Sequence, residues 1–440
     1  MSCNSSCNVT DGRKIFYDDA TWVMTSSFII FTMQSGFALL ESGCVSRKSE
    51  VNVLMKNIVD MVFGGMSYWM FGYGMSYGTD YGSNPLFGVG HYFVDTDEVD
   101  MGYLYATYIF QLSFASTATT IVSGAVAERF HFIAYCVYSF LNTFVYCLPA
   151  CWMWSDQGFL NRLGAVDIAG CCPVHLVGGA SALVAALMVG PREGGRTAIN
   201  SPTNAMLGMF ILWWGWLGFN CGATFGVTGD KWKYASRSAI TTINASIGGG
   251  LTSLLLSFIY FKGKILISNL INGILSALVA ITAGCVLYNP WEAFVIGAVS
   301  SLLTNIAMGA SLVDDPVDAI AVHLVGSICG MLAVGLLVEE DPMLMLSKGQ
   351  AGLLQGGGFH LLGVQALTVL VVGVWSLVTT YLLLKAISCA IPLRMTLEDE
   401  RVGADAVEHN IRHFTNVESR KLSRSSFGSL PFLSTYNEQT

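Results

Sequence analysis

Val174-His175-Leu176-Val177-Gly178 returns, letter for letter, as Val322-His323-Leu324-Val325-Gly326. Both copies lie inside long apolar stretches. An ionisable side chain kept in hydrocarbon is costly and marks a functional site by default. A single histidine on an apolar helix more often fills a structural role, satisfied by hydrogen bonds. The repeated context reverses that preference, because both imidazoles carry the cost of residing in lipid. Two related halves, each delivering one imidazole to a shared site, are the arrangement of transporters with internal repeats.

The composition around these copies bounds the class. Of 440 residues, 53% are hydrophobic and only 12% are charged, with a mean hydropathy of +0.55; soluble domains carry about 25% charged residues. Apolar segments of about 20 residues recur, the length a helix needs to cross about 30 Å of hydrocarbon. The chain therefore reads as an all-α polytopic membrane protein with eleven transmembrane helices. They fall at 20–43, 50–77, 103–126, 131–153, 168–190, 203–222, 235–258, 266–287, 292–310, 319–338 and 361–388. The net charge of −8 argues against a nucleic-acid partner. Residues 1–19 lack the basic-then-apolar pattern of a cleavable signal. Most of the twelve cysteines sit in apolar segments, where a free thiol behaves as a small hydrophobe. Cys3 and Cys7 lie beside Asn4-Ser5-Ser6 and Asn8-Val9-Thr10, which makes Asn4 and Asn8 glycosylation candidates. On an external N-terminus the two thiols are free to pair.

An odd number of spans places the termini on opposite sides. With the N-terminus outside, Arg47, Lys48, Arg129, Arg192, Arg196, Lys262, Lys264 and the seven basic residues from Lys385 to Arg424 face inward. Arg13, Lys14, Arg162, Lys231, Lys233, Arg237 and Lys348 face outward. That bias selects N-out and C-in. Dividing the spans as five, five and one puts each pentapeptide in the last helix of its half. Five is odd, so the halves (20–190 and 203–338) form an inverted repeat, followed by the final helix at 361–388. Such repeats place the substrate site near mid-membrane. The first helices echo one another weakly, Ser35-Gly36-Phe37 against Leu217-Gly218-Phe219. Residues 1–19 are expected outside, and 389–440 form a cytosolic regulatory tail. An outer loop with Asp80, Asp95, Asp97, Glu98 and Asp100 reads equally as a cation-enriching face or as a solvated loop.

Each histidine has an acid upstream, Asp167 eight residues before His175 and Asp318 five before His323. At about 1.5 Å per residue, Asp167 falls near the outer mouth and Asp318 near the inner end of its helix. A cation bound directly to Asp167 would be released slowly, which favours a capping role. Phe110, Phe114, Trp152, Trp154, Trp213, Trp214, Trp216 and Phe219 fall near expected outer helix ends. There they serve as interfacial anchors, or a subset forms a cation–π platform for a small cation. Lys56 and Asp60, at i and i+4, read as a buried salt bridge.

Several motifs then agree in order. They are Phe110-Gln111-Leu112-Ser113-Phe114, Gly124-Ala125-Val126-Ala127-Glu128-Arg129, Asp167-Ile168-Ala169-Gly170 running to His175, Trp216-Leu217-Gly218-Phe219-Asn220, and Asp314-Asp315-Pro316 before His323. Together they resemble the ammonium transporter family (Amt/MEP/Rh), its Amt branch and an animal member. The likeness extends from Gln34–Gly43 to Glu398–His409. The resemblance implies a transporter and not an enzyme, with no cofactor and no metal. The implied substrate is ammonium or ammonia, with methylammonium accepted. It also implies a plasma-membrane homotrimer with one pore per subunit and a tail that couples neighbouring subunits. By the same resemblance, Trp154 recruits the cation with Phe114 and Ala223, and Phe114 and Phe219 form a gate. His175 and His323 line the path; Asp167, Phe110, Trp216 and Asp318 support it. One departure stands out: Ala223 occupies a position where many relatives have a serine. The lost hydrogen bond to a charged ligand is worth ~1.5–3 kcal/mol. Val407 falls where plant relatives carry a phosphorylated threonine, so inhibition through that position is not expected.

Desolvation shapes the mechanism so implied. An intact ion in a dry pore lacks compensating ligands, so ammonium gives up its proton at the gate and ammonia passes the imidazoles. Whether the proton follows is open at this level. Two other classes are separable. Haem-binding membrane cytochromes carry histidine pairs about four turns apart on single helices, a spacing absent here. An ammonium sensor or receptor with little transport is the closer alternative.

Overall fold

A computed structural model describes residues 17–411 and 413, apart from 98, 196–198 and 312. Asn4, Asn8, Cys3, Cys7 and the basic stretch Arg420–Ser426 fall outside the described residues. Each expected span coincides with a helical run. These are α1 (Tyr17–Cys44), α2 (Glu50–Val59 continuing to Tyr73–Tyr77), α3 (Met101–Ala125), α4 (Phe132–Trp154) and α5 (Cys171–Val189). The second half holds α6 (Pro202–Gly222), α7 (Lys231–Tyr260), α8 (Ile267–Ile281), α9 (Pro290–Ala310) and α10 (Ile320–Leu337). Then come α11 (His360–Ser388) and two short tail helices, α12 (Leu397–Val402) and α13 (Ala404–His409). Among the described residues, eight of these runs (α1, α4 to α7 and α9 to α11) are long and apolar enough to cross a bilayer on their own.

The helix expected over 266–287 stops early, at Ile281. Helix ends leave carbonyls unpaired, and at membrane depth these need partners within the protein. The chain entering α5 supplies them, with the Ile168 amide donating to the Ala283 carbonyl (2.9 Å) and Ala169 to Thr282 (3.3 Å). Close helix crossings need small residues. A Cβ at Gly36 of α1 would lie 2.9 Å from Leu212 Cγ on α6, so the first helices of the two halves nest together. Their fifth helices do the same. A Cβ at Gly179 of α5 would lie 2.9 Å from the His323 carbonyl carbon and closer still to the Leu324 amide of α10.

The Lys56–Asp60 salt bridge expected from spacing is not formed. Asp60 Oδ2 accepts from the Tyr135 hydroxyl (2.9 Å) and from Thr120 Oγ1 (3.2 Å). Among the described residues Lys56 Nζ has no hydrogen-bond partner, and it lies 5.6 Å from the Tyr135 ring centre. A π-type turn begins at Asp60, and hydroxyls from α3 and α4 take its carboxylate in place of the ammonium of its own helix.

The end of the bundle opposite Trp154 is held by charge. Arg192 binds Glu128 Oε2 (2.5 Å) and both oxygens of Asp314 (2.8 Å each). Arg129 donates to the Asp314 carbonyl (2.6 Å). The tail closes over this end. Asp405 accepts the Val51 and Asn52 amides at the start of α2 (3.1 and 2.7 Å), and Glu400 binds Arg394 (2.8 Å) and the Glu193 amide (2.6 Å).

Candidate functional site

A column of rings runs through the bundle. At one end Trp154, half-buried, donates its indole N–H to the Asp167 carbonyl (2.9 Å), with its ring 5.9 Å from Phe114. Phe110 packs 4.7 Å from Phe114. Phe114 stacks on Phe219 at 4.1 Å and 14°, and both rings are buried. Below them His175 lies 5.6 Å from Phe219 and stacks on Trp216 at 5.3 Å and 18°. His323 follows, stacked on His175 at 5.2 Å, with Phe37 6.3 Å further along. Every aromatic and histidine singled out as a path residue therefore falls into one file. Trp216 is the relocation: it is fully buried against His175 with its N–H on Thr282 Oγ1 (3.1 Å), and is no anchor at a helix end. Trp214, by contrast, is 53% exposed.

The two imidazoles meet through their Nδ1 atoms, 3.2 Å apart. One Nδ1 must donate and the other accept, so each ring keeps its Nε2 free along the file. His175 Nε2 is buried without a hydrogen-bond partner among the described residues.

The local structure that aims these rings is the same in both helices. Each histidine sits on a π-type turn, Cys171–Leu176 in α5 and Ile320–Val325 in α10; such turns recur at functional sites. Asp167 caps α5, its Oδ1 accepting the Gly170 and Cys171 amides (2.9 and 3.0 Å) and its Oδ2 that of Cys172 (2.6 Å). The residue that does this for α10 is Asp315, which accepts Val317 (3.2 Å) and Ile320 (2.8 Å). Asp315 precedes His323 by eight residues, as Asp167 precedes His175. That shared spacing was the available signal, and the nearer acid, Asp318, masked it. Asp318 instead accepts from Asn272 Nδ2 (3.2 Å) at the inner end. Because Asp167 lies beside Trp154 and the Asp314-Asp315 pair beside Arg129, at opposite ends of α4, the two helices enter from opposite faces.

Ala223 ends α6, one turn past Phe219. The neighbouring Thr224 hydroxyl donates to the Cys221 and Gly226 carbonyls (2.8 and 2.9 Å). Among the described residues, no group of three His, Cys, Asp or Glu side chains is placed to hold a metal ion.

A polytopic helical bundle with a ring-lined file, closed by stacked phenylalanines above paired imidazoles, defines a membrane conduction protein. The chain belongs to the Ammonium Transporter Family, whose model matches residues 21–414. A Caenorhabditis elegans relative is 46% identical over 424 residues, covering 92% of this chain and 61% of its own length. A second from that nematode is 42% identical, with 90% and 82% covered. Ammonium transporter 1 member 3 of Solanum lycopersicum is 33% identical, with 93% and 94% covered. Among solved structures, a Sensor Amt Protein superposes with a TM-score of 0.81 at 32% identity, covering 89% of this chain and 98% of that one. Mep2 of Saccharomyces cerevisiae gives 0.77 at 26%, with 87% and 88% covered. The chain is thus a multi-pass membrane protein of a family of transporters, not of enzymes.

Proposed function

We propose that this protein conducts ammonium, as the ion or as ammonia, across the plasma membrane, with methylammonium as a surrogate substrate. The observation that carries this reading is the Phe114–Phe219 stack seated directly over the Nδ1-linked His175–His323 pair. Trp154, Phe110 and Phe114 offer ring faces to a cation at the outer end, and Asp167 holds that end in shape without facing the ion. Ala223 lines the recruitment position without offering a hydroxyl. The stacked rings exclude a hydrated ion, so ammonium sheds its proton there, and the imidazoles give ammonia hydrogen-bond partners in an otherwise apolar file. Trp216 fixes the His175 ring, and Asp318 faces the inner exit. The protein functions as a homotrimer with its N-terminus outside and residues 389–440 in the cytosol, a reading supported by family membership and by the distribution of basic residues. Regulation enters through the tail helices fastened to α2 and to the segment after α5.

Uptake of labelled methylammonium by cells lacking their own ammonium transporters tests the activity, and uptake no higher than in empty cells defeats it in favour of a sensor. His175→Ala is expected to derange selectivity for ammonium over potassium in current recordings. Unchanged selectivity removes the role given to the imidazoles.

A further inference from the structure

Just past His323 lies a cavity of about 20 Å³, bordered by Phe37, Glu41, Ile121, Trp216, Val317 and His323. A buried water needs ~10–15 Å³, so this space takes one molecule of the size of water or ammonia. Besides His323, the ionisable side chain on its wall is Glu41, 2% exposed and one helical turn beyond Phe37. Ser123 Oγ donates to Glu41 Oε1 (2.6 Å) and Asn57 Nδ2 to Oε2 (3.0 Å). Behind these contacts Lys56 Nζ, Asn57 Oδ1 and Asp60 Oδ1 are buried with no hydrogen-bond partner among the described residues.

The titratable groups facing Glu41 are Lys56 and Asp60 from α2, Tyr135 from α4 and His323 from α10. Cys44 follows on α1, with Asp315 and Asp318 beyond it, and α3 contributes only the hydroxyls of Thr120 and Ser123. Around the Lys56 ammonium lie the carboxylates of Glu41, Asp60 and, from α13, Glu408, with the Arg129 guanidinium as the second cation; three carboxylates against two cations leave a net negative charge. Such a charge is costly unless neutralised, and one exchangeable proton neutralises it. A carboxylate that both borders the path and belongs to a proton-holding cluster has a chemical use.

We propose that Glu41 is the inner proton station of the path, an inference that rests on the ammonium reading above. Ammonium loses a proton beneath Trp154. The proton passes through the His175–His323 pair to the Glu41 carboxylate, forming its O–H bond. Ammonia arriving in the cavity takes that proton; the O–H bond breaks, an N–H bond forms, and the carboxylate is restored. The ammonium leaves through a second cavity of about 180 Å³ that shares Leu40 and Val317 with the first and is lined by Asn272, Asp315 and Asp318. One ammonium enters and one leaves, and nothing else is consumed.

The test uses the full-length protein in liposomes, with current evoked by an ammonium jump recorded beside a luminal pH dye. Glu41→Gln keeps the side-chain shape, and the Asn57 amide, whose Oδ1 has no partner among the described residues, can turn to accept from the new NH₂ group. The current is expected to fall ~100-fold, the low end of what loss of a positioned proton-transfer group does, while alkalinisation by ammonia entry persists. Glu41→Asp should restore part of the current with a shifted pH profile. A wild-type current and pH profile in Glu41→Gln overturns the proposal. So does joint loss of current and alkalinisation without rescue by Asp, which marks a structural role. Wild-type protein that alkalinises the lumen without current defeats the proton station alone, and wild-type protein that does neither defeats the transport reading.

Discussion

α5 and α10 hold the same pentapeptide in the same way, yet they open onto different surroundings. In both, an acid eight residues upstream caps the helix start and the histidine rides on a π-type turn. Around α5 the neighbours are rings and backbone: Asp167 accepts three amides, Trp154 hangs from its carbonyl, and Lys348 binds the Ala165 carbonyl (2.5 Å). Around α10 they are ions: Asp315 adjoins Asp314, which Arg192 and Arg129 grip. The imidazole and its cap are therefore separable from the chemistry of each mouth. One mouth presents the Trp154 and Phe114 rings; the other is an ion-paired fastening for the tail.

The largest test of that contrast is Arg192→Ala. Removing one partner of a buried pair costs ~3–5 kcal/mol, and the Arg192 and Asp314 side chains are only 5% and 7% exposed. Melting in detergent should drop accordingly, whereas Lys348→Ala at the other mouth should cost only the ~1.5–3 kcal/mol of a charged hydrogen bond. Equal losses would break the contrast. Acid adds a second readout. Burial alone would raise the Asp314 carboxyl, but hydrogen bonds from Arg192 outweigh it and hold the group down to about 2. The folded value lies below the ordinary ~3.9. The stabilisation is thus full above about pH 4 and lost as pH falls towards 2. Asp314→Asn should abolish that acid-dependent part of the melting curve.

Next in size is the pair of caps. A helix cap is worth ~0.5–2 kcal/mol, and Asp167 satisfies three amides where Asp315 satisfies two. Asp167→Ala should be the more destabilising. It alone should raise the half-saturation for methylammonium, because it loosens the Asp167 backbone whose carbonyl holds the Trp154 indole. If Asp315→Ala raises it as much, the two mouths are not independent. Ala223→Ser is read in affinity and not in stability. A hydrogen bond to a charged ligand, ~1.5–3 kcal/mol, should lower the half-saturation about tenfold at its lower end. No change would mean that another oxygen already serves the ion.

Helices and histidines were legible because apolar length and an exact repeat are properties of the chain itself. Partner choice was not. The i,i+4 spacing of Lys56 and Asp60 places both on one face of α2, but Tyr135 and Thr120, which take the carboxylate, arrive from other helices. Trp216 and Trp214 read alike in sequence, and only the packing of α6 turns one onto His175 and the other outward. The early end of α8 was hidden for the same reason, since the amides that satisfy its carbonyls come from the chain before α5.

The backbone contact at Gly179 carries a kinetic consequence. Where α5 and α10 touch main chain to main chain beside His323, neither half can rock against the other without parting that seam. A rocker-switch cycle, opening to one side and then the other, would have to break the waist on every turnover. Permeation through a waist that stays shut as one body should instead follow the hop of a small molecule between fixed points. Flux should then rise with temperature about as steeply as diffusion does, not as steeply as a domain movement.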